Sequence, residues 1–316
     1  MWIILSFVSA LCLGCYDISK KIALQSNRVI DVLTLSVCIS TALLAIPWVL
    51  SRTCPEMMTA TPFYVPRLDL AAHGLVVLKS LIVLSSWVFA YISLKHLPLS
   101  VVSPMQATRP MWTLVGALVL FGERLNGWQW VGVSLAIGTV FVFSFANKSR
   151  LKEAKSEVDK KYYICLALAI LIGACSGLYD KYLMRSYDHN AVQVYYTLYQ
   201  AIMMVGVWTI DRYAERIKSK DKNVSTDSVK SLFLNPYSLL PIVLISVFLI
   251  ISDNVYMLAL RDPDSLIAVV STIRRGGAVI GFAYGLLFLK EQDPWKKVAC
   301  MVGILAGLIC LAIGSC

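Results

Sequence analysis

The sequence predicts an all-α membrane protein with about ten transmembrane helices, arranged as two inverted five-helix repeats. Three observations lead to this class: an apolar composition, a series of continuous apolar runs, and an internal repeat. Hydrophobic residues make up 58% of the 316 residues and charged residues 15%, and the mean hydropathy is +0.70. A soluble domain has roughly 45–50% apolar and about 25% charged residues. The chain therefore has too little polar surface to remain in water.

The apolar runs are continuous rather than alternating, which excludes a β-barrel and favours membrane-spanning helices of about 20 residues. Tryptophans lie at several run ends, as is typical of the membrane interface. The first run has no basic start, so we interpret it as a retained helix rather than a cleaved signal. The predicted spans cover residues 2–20, 29–50, 70–94, 99–121, 127–146, 162–184, 190–210, 238–260, 265–289 and 296–314.

Several functional classes are excluded by what lies between and within the runs. The net charge is +10, but the basic residues are not clustered on amphipathic segments, so no nucleic-acid partner is predicted. The nine cysteines lie mostly inside apolar runs and are interpreted as small buried hydrophobes. Neither a phosphate loop nor a metal-ligand spacing is present, so we predict no cofactor and no metal. The polar stretches 148–161 and 211–235 are predicted to be solvated loops.

Lysine and arginine are distributed unevenly between alternate loops. Nineteen fall in the loops after spans 1, 3, 5, 7 and 9, and six fall on the opposite side. Basic loops remain in the cytoplasm. We therefore predict a multi-pass protein of the cell membrane, plasma or inner, with both termini outside.

The chain also repeats itself. Tyr16-Asp17 in span 1 corresponds to Tyr179-Asp180 in span 6, at a spacing of about 163 residues, and Glu123 corresponds to Glu291 at 168. Five spans is an odd number, so the second copy must enter the bilayer from the opposite face. Such inverted repeats are typical of secondary transporters, whose substrate site lies near the midplane. The alternative is a chance alignment of apolar segments.

The predicted organisation is a first repeat over residues 1–146, a basic cytoplasmic linker over 147–161 and a second repeat over 162–316. Two turns at matching positions carry motifs, namely Phe121-Gly122-Glu123-Arg124-Leu125 with Trp130 and Gly132 after it, and Leu289-Lys290-Glu291 before Gly303. With the five-plus-five layout, they resemble the EamA branch of the drug/metabolite transporter superfamily over nearly the whole chain. The resemblance implies alternating access around a central cavity lined by spans 1, 3, 4, 6, 8 and 9. In span 1 the family's Trp-Gly-Ser or Trp-Gly-Asn is replaced by Gly14-Cys15-Tyr16-Asp17.

Four basic residues fall within predicted spans: Lys79 in span 3, Arg109 in span 4, and Arg274 and Arg275 in span 9. Each costs roughly 2.5–3.5 kcal/mol at a helix centre, so such groups face a bundle interior or a wet cavity. Asp253 in span 8 is the one carboxylate placed comparably deep. The excess of positive charge predicts an anion site, because guanidinium suits carboxylate and phosphate. The alternative is that Lys79 or Arg275 pairs with Asp253 and the others bond helix carbonyls.

Three further residues are candidate substrate contacts. Trp87 is placed to stack on a substrate ring, Tyr199 belongs to a polar-aromatic face of span 7, and Gln106 lies in span 4. Packing is the alternative role for Trp87, and hydrogen bonding between helices is the alternative for Tyr199.

A second group of residues is assigned to gating or coupling. Proline removes an intrahelical hydrogen bond and glycine lowers helix propensity, so spans 4 and 9 are predicted to bend at matched positions. The Tyr-Asp pairs are predicted to gate the cavity, or one of their aspartates to carry a coupling proton. Alternatively they are interfacial pairs with Lys20, Lys21 or Lys181. The assigned residues are Tyr16, Asp17, Tyr179, Asp180, Pro110, Gly276 and Gly277.

The leading hypothesis is a secondary transporter, not an enzyme, that moves a small anionic metabolite by alternating access. The metabolite would be an organic acid, an amino acid or a phosphorylated compound. The alternatives are a flippase for an anionic lipid-linked headgroup, an intramembrane lipid-modifying enzyme, and a receptor or scaffold. The predicted partners are the small-molecule substrate and the lipid bilayer, while proton coupling and a homodimer are left open.

Overall fold

The computed structural model describes residues 1–24, 27–97, 105–106, 108–146, 160–218, 236–287 and 294–315. Within these ranges the regular structure is α-helical. The helices are, in chain order, α1 (Trp2–Leu24), α2 (Val29–Thr53), α3 (Pro55–Thr59), α4 (Leu70–His96), α5 (Arg109–Phe121), α6 (Gly127–Ala146), α7 (Lys160–Met184), α8 (His189–Lys218), α9 (Pro236–Arg261), α10 (Ile267–Arg275), α11 (Ala278–Leu287) and α12 (Pro294–Ser315).

Six helices in the described ranges are long and apolar enough to cross a membrane. They are α1, α2, α7, and the segments Leu70–Ala90 of α4, Leu239–Arg261 of α9 and Val298–Ser315 of α12. Helix α5 is apolar but has only 13 residues. The predicted all-α, multi-pass membrane class is confirmed, whereas the count of ten spans remains a prediction.

Some element boundaries differ from the prediction. The predicted loop 211–235 begins inside a helix, because α8 continues to Lys218. The short helix α3 was not predicted, and span 9 is divided into α10 and α11. The remainder of that loop, 219–235, and most of the predicted linker, 147–159, lie outside the described residues.

The chain forms two compact units. The larger unit contains residues 1–14, 81–186 and 255–316, and the smaller unit contains residues 15–80 and 187–254. Each unit takes segments from both halves of the chain. This division describes packing rather than sequence repetition, so the predicted boundary at 147–161 is not tested by it.

In the larger unit, α6 packs closely against α12 because glycines face the partner helix. A Cβ atom added at Gly307 would lie 2.8 Å from the backbone nitrogen of Ala136 and 2.9 Å from the carbonyl oxygen of Gly132. A Cβ atom at Gly303 would lie 2.5 Å from Thr139. Small residues let transmembrane helices approach to backbone contact.

In the smaller unit, α2 packs against α8, and each end of this helix pair has a tryptophan and an arginine four residues apart. On α2, Trp48 Nε1 donates to the hydroxyl of Tyr195 at 3.1 Å, and Arg52 Nη2 donates to the same oxygen at 3.2 Å. On α8, Trp208 Nε1 donates to a carboxylate oxygen of Asp31 at 2.9 Å. These contacts join the two helices at both ends.

Eight cysteines are described, and none of these forms a disulfide. Only Cys300 is buried, whereas Cys54 and Cys175 are exposed and the other five are partly exposed. The prediction of buried cysteines was therefore wrong for most of them. A membrane helix presents apolar side chains to lipid as well as to protein, so an apolar run does not by itself indicate burial.

Candidate functional site

Arg109 begins α5, and its side chain lies against α7 in the larger unit. Its Nη2 donates to the carbonyl oxygen of Ala169 at 3.4 Å, a long hydrogen bond, and its buried Nε has no hydrogen-bond partner among the described residues. The carbonyl of Ala169 also accepts from Ser86 Oγ at 2.8 Å. Within the described ranges no carboxylate forms a salt bridge with Arg109. This guanidinium can therefore accommodate a further acceptor.

A glycine on α7 makes the space for this side chain. A Cβ atom added at Gly173 would lie 2.5 Å from Cζ and 2.5 Å from Nη2 of Arg109. Real Cβ atoms do not approach other atoms so closely, so any larger residue would displace the guanidinium. Gly173 was not among the predicted site residues. Its signal in the sequence, a glycine inside an apolar run, is shared by other positions and identifies a site only with the fold in hand.

Pro110 lies in the first turn of α5, and its side chain is buried. Proline is favoured there because the first helical N–H groups have no intrahelical acceptor. The predicted bend at Pro110 is thus observed as a helix start. Residues 98–104 and 107 lie outside the described residues.

At Gly276 and Gly277 the predicted ninth span is interrupted between α10 and α11. The backbone continues through shorter-range hydrogen bonds, from Gly276 N to Ile273 O at 2.8 Å and from Gly277 N to Arg274 O at 3.3 Å. These i→i+3 bonds make a tighter turn than an α-helix. A Cβ atom at Gly277 would lie 2.4 Å from the carbonyl oxygen of Ala10, so this glycine also permits close packing with α1.

Arg274 and Arg275 occupy the last turn of α10, also in the larger unit. The guanidinium carbon of Arg274 lies 4.2 Å from the ring centroid of the buried Tyr256 on α9, a cation–π contact. Arg275 is exposed and repels Arg109 electrostatically. Three of the four predicted basic site residues therefore belong to one unit.

Lys79 and Asp253 belong to the smaller unit. Lys79 is 3% exposed, and its Nζ lies 4.6 Å from the ring centroid of Tyr196. Asp253 is partly buried on α9. The five charges predicted as one cluster are thus divided between the two units.

The remaining candidate contacts lie in different units. The Tyr199 hydroxyl is 2.8 Å from His73 Nδ1, so in the smaller unit it joins α8 to α4 by a hydrogen bond between helices. Trp87 and Gln106 are partly buried in the larger unit. A substrate role for these three residues is not tested by these contacts.

The two Tyr-Asp pairs differ in their environments. In the smaller unit Asp17 is exposed and attracts Lys20, whose Nζ lies 5.6 Å from the ring centroid of Tyr16. In the larger unit Asp180 is buried, and Tyr179 stacks on the ring of Tyr182 with centroids 5.8 Å apart. The first pair has the geometry of the interfacial alternative. A gating role for either pair remains a prediction.

Glu123 binds the start of α10. Its Oε1 accepts from the backbone N–H of Ile267 at 2.6 Å, and its Oε2 accepts from the N–H of Ala268 at 3.1 Å. Gly122 ends α5 with a φ of 61°, a left-handed conformation that favours glycine, and so places Glu123 beside α10. Glu123 thus joins the turn after α5 to the start of a neighbouring helix.

Lys181 holds the loop that precedes α10, a role missed in the sequence. Its Nζ, on a residue 3% exposed, donates to the carbonyl oxygens of Ser265 at 2.7 Å, Leu260 at 3.3 Å and Asp262 at 3.3 Å. An ammonium group suits the carboxyl end of α9 because the last helical carbonyls carry partial negative charge. The sequence indicates Lys181 only as an alternative partner of a Tyr-Asp pair.

Asp31 was also missed, since Asp253 had been taken as the one deep carboxylate. Asp31 is buried at the start of α2, and Arg212 of α8 donates to its Oδ2 at 2.6 Å. No local pattern in the sequence indicates this pairing, because Asp31 and Arg212 are 181 residues apart.

These helices and contacts define a multi-pass α-helical membrane protein. Residues 1–145 match the model of the EamA-like transporter family, so the predicted resemblance is confirmed over this part of the chain. Members of this family are membrane transporters of small solutes. A comparison with curated proteins finds no match.

The fold is also similar to that of a protein of known crystal structure. The similarity covers 98% of this chain and 96% of the other chain, with a TM-score of 0.69 and 12% sequence identity. At this identity the similarity shows the fold alone.

Proposed function

We propose that the protein is a secondary transporter that moves a small anionic metabolite across the cell membrane by alternating access. The family match supports transport of a small solute. The observation that carries the anionic class is the Arg109 guanidinium, which is held against α7 with a buried Nε that has no acceptor among the described residues.

The energetic argument concerns what completes the bonding of Arg109. An arginine at membrane depth costs roughly 2.5–3.5 kcal/mol on insertion scales. One long bond to a carbonyl oxygen offsets little of this cost, and the repulsion from Arg275 adds to it. A carboxylate or phosphate supplies a charge-assisted, bidentate partner for a guanidinium. The substrate classes that fit are an organic acid, an amino acid held by its carboxylate, and a phosphorylated compound.

Two contacts in the larger unit support the proposed inverted repeat. Gly173 on α7 receives Arg109 of α5, and Ala10 on α1 receives Gly277 beside α10. Ala10 and Gly173 are 163 residues apart, and Arg109 and Gly277 are 168 residues apart. Both spacings are those of the sequence repeat, so equivalent positions of the two halves make equivalent contacts.

The ten spans, the cytoplasmic basic loops and the outside location of both termini belong to the same proposal. In it, span 4 moves about the helix start at Pro110 and span 9 moves about Gly276 and Gly277. Helices that are interrupted at matched positions of inverted repeats are a recurring construction of transporter binding sites.

The test is anion-dependent thermal stability of the purified full-length protein. We expect sulfate, phosphate, citrate or glutamate to raise the Tm of the wild type, because a ligand that binds only the folded state stabilises it. Arg109→Gln should abolish the shift. Arg124→Gln, at an exposed arginine just after α5, is the matched control and should keep it.

Two results would contradict the proposal. One is an anion shift in Arg109→Gln equal to that of the wild type. The other is stabilisation by anionic lipid extracts alone, which would favour a flippase for a lipid-linked headgroup.

A further inference from the structure

We propose that Tyr256 sets the specificity of the anion site and that the substrate is a short organic acid with a hydroxyl at its far end. The carboxylate of this acid binds Arg109, its hydroxyl binds the hydroxyl of Tyr256, and its chain lies along one side of α7. This role rests on the proposed function, because the carboxylate uses the guanidinium described above. Tyr256 was not among the predicted substrate contacts.

Two glycines of α7 show that Arg109 and Tyr256 lie on the same side of that helix. A Cβ atom added at Gly173 would lie 2.5 Å from Cζ of Arg109. A Cβ atom added at Gly177 would lie 3.9 Å from the hydroxyl oxygen of Tyr256. Positions four residues apart on a helix have Cβ atoms about 5–6 Å apart. The guanidinium carbon and the hydroxyl oxygen are therefore no more than about 12 Å apart.

This side of α7 is turned away from the exposed surface. The exposed residues in the middle of the helix recur at helical spacing on one side, namely Ile164, Leu168, Leu171, Cys175 and Tyr182. At 3.6 residues per turn, Gly173 and Gly177 lie about 150–170° around the helix from the centre of that exposed side. Tyr256 itself is 5% exposed and belongs to the same unit as the two glycines. A ligand on this side of α7 is therefore shielded from lipid.

Gly177 leaves space beside the Tyr256 hydroxyl. Apart from the surrounding backbone of α7, this oxygen is the one atom of the described residues within 4 Å of a Cβ placed at Gly177. At Gly173 the corresponding space is filled by the guanidinium of Arg109. The strip between the two glycines thus has a cation at one end and open space next to a hydroxyl at the other. This arrangement fits an acid with a polar group at each end.

The charges near the Tyr256 hydroxyl favour an uncharged oxygen group at this end. Arg274 lies on the face of the tyrosine ring, with its Cζ 4.2 Å from the ring centroid. Asp180 is buried and follows Gly177 by three residues, so it lies on the same side of α7. Because these two charges oppose each other, a second carboxylate gains little here. A substrate hydroxyl both donates and accepts, so it pairs with the Tyr256 hydroxyl in either direction.

The experiment compares three acids of equal chain length on the purified full-length protein. The far end is a methyl group in butyrate, a hydroxyl in γ-hydroxybutyrate and a second carboxylate in succinate. The Kd of each acid is obtained from the concentration dependence of Tm. In the wild type we expect γ-hydroxybutyrate to bind about tenfold more tightly than butyrate, because it adds one hydrogen bond. Succinate should bind no more tightly than γ-hydroxybutyrate.

Tyr256→Phe tests the hydroxyl alone, because it keeps the ring beside Arg274. We expect the preference for γ-hydroxybutyrate over butyrate to disappear, while butyrate still binds through Arg109. The matched control is Tyr182→Phe, at an exposed tyrosine of α7, which should keep the preference. Since the preference is a ratio measured within one variant, a general loss of stability does not change it.

Gly177→Ala tests the space beside the hydroxyl. The added Cβ is at ordinary contact distance from Tyr256, so we expect the ligand-free Tm to stay near that of the wild type. The same atom occupies the proposed path of the acid, so the Kd of γ-hydroxybutyrate should rise several-fold. Gly138→Ala, where a Cβ meets nothing within 4 Å, is the control and should leave this Kd unchanged.

The role of Tyr256 is overturned if the wild type binds γ-hydroxybutyrate and butyrate equally or binds succinate more tightly than γ-hydroxybutyrate. It is also overturned if Tyr256→Phe keeps the preference or Gly177→Ala keeps the wild-type affinity. The wild-type comparison needs no variant, so a variant that fails to fold leaves the test intact. Equal binding of all three acids would leave the anion site in place, whereas the absence of a Tm shift with any acid would overturn both proposals.

Discussion

Arg212 Nη2 donates to Asp31 Oδ2 at 2.6 Å, and only 7% and 3% of the two side chains are exposed. The guanidinium also lies 5.5 Å from the ring centroid of Trp208, which itself donates to Asp31. This buried pair joins the start of α2 to the last turns of α8. It explains why α8 continues through charged residues that by composition indicate a loop.

We expect Asp31→Asn to destabilise the protein strongly. The change leaves Arg212 buried without its carboxylate, and breaking a buried pair typically costs about 3–5 kcal/mol. The matched control is Asp211→Asn, which removes the more exposed pair of Arg28 and Asp211 at 2.8 Å. Exposed pairs contribute about 0–1 kcal/mol. Thermal unfolding in detergent would compare the two variants. Equal losses of Tm would contradict the larger stabilising role of the Asp31–Arg212 pair.

Gly173→Ala should change anion binding while it leaves the fold intact. The added Cβ meets the end of the flexible Arg109 side chain rather than backbone, so the guanidinium moves and the helices do not. We expect the anion-induced Tm shift to fall and the ligand-free Tm to stay near that of the wild type. Gly138→Ala, where a Cβ meets nothing within 4 Å, is the control. An anion-induced Tm shift in Gly173→Ala equal to that of the wild type would show that the space at Gly173 is not part of the anion site.

Gly307→Ala should separate α6 from α12. Its Cβ would lie within 3 Å of backbone atoms of Ala136 and Gly132, which cannot move aside as a side chain can. Overpacking of this kind costs about 1–3 kcal/mol. Gly206→Ala on α8, where the added atom meets nothing within 4 Å, should be neutral or slightly stabilising. Thermal unfolding measures both, and a neutral Gly307→Ala would show that these helices do not pack at backbone distance.

The stability contribution of Glu123 should depend on pH with a defined sign. Burial raises its pKa in the folded protein. A group of this kind contributes stability below its unfolded pKa of about 4.3, and this contribution is lost as the pH rises through the folded pKa. The Tm of the wild type relative to Glu123→Gln should therefore fall with rising pH. A constant difference, or one that grows with pH, would contradict the burial of this carboxyl.

The structure shows where the residues of the predicted site lie, and their role in binding remains a prediction. Arg109, Arg274 and Arg275 were predicted because a charge inside an apolar run is costly wherever the run folds, and they belong to one unit. Lys79 and Asp253 met the same criterion but belong to the other unit. The depth of a residue along its span can be predicted from the sequence, whereas the helix that packs against that residue cannot. For the same reason Gly173 was not predicted, because its role depends on Arg109 lying against it in the folded protein.

By itself the sequence determined the helical membrane class, the resemblance to the EamA-like transporter family and the positions of the costly charges. These follow from composition and local pattern, which the bilayer constrains directly because it offers no partners to backbone or charge. The tertiary structure alone decided the pairing of Asp31 with Arg212, the niche at Gly173 and the attachment of Glu123 and Lys181 to the loop before α10. Each of these depends on contacts between residues distant in the chain, and the geometry of such contacts exists only after the helices have packed.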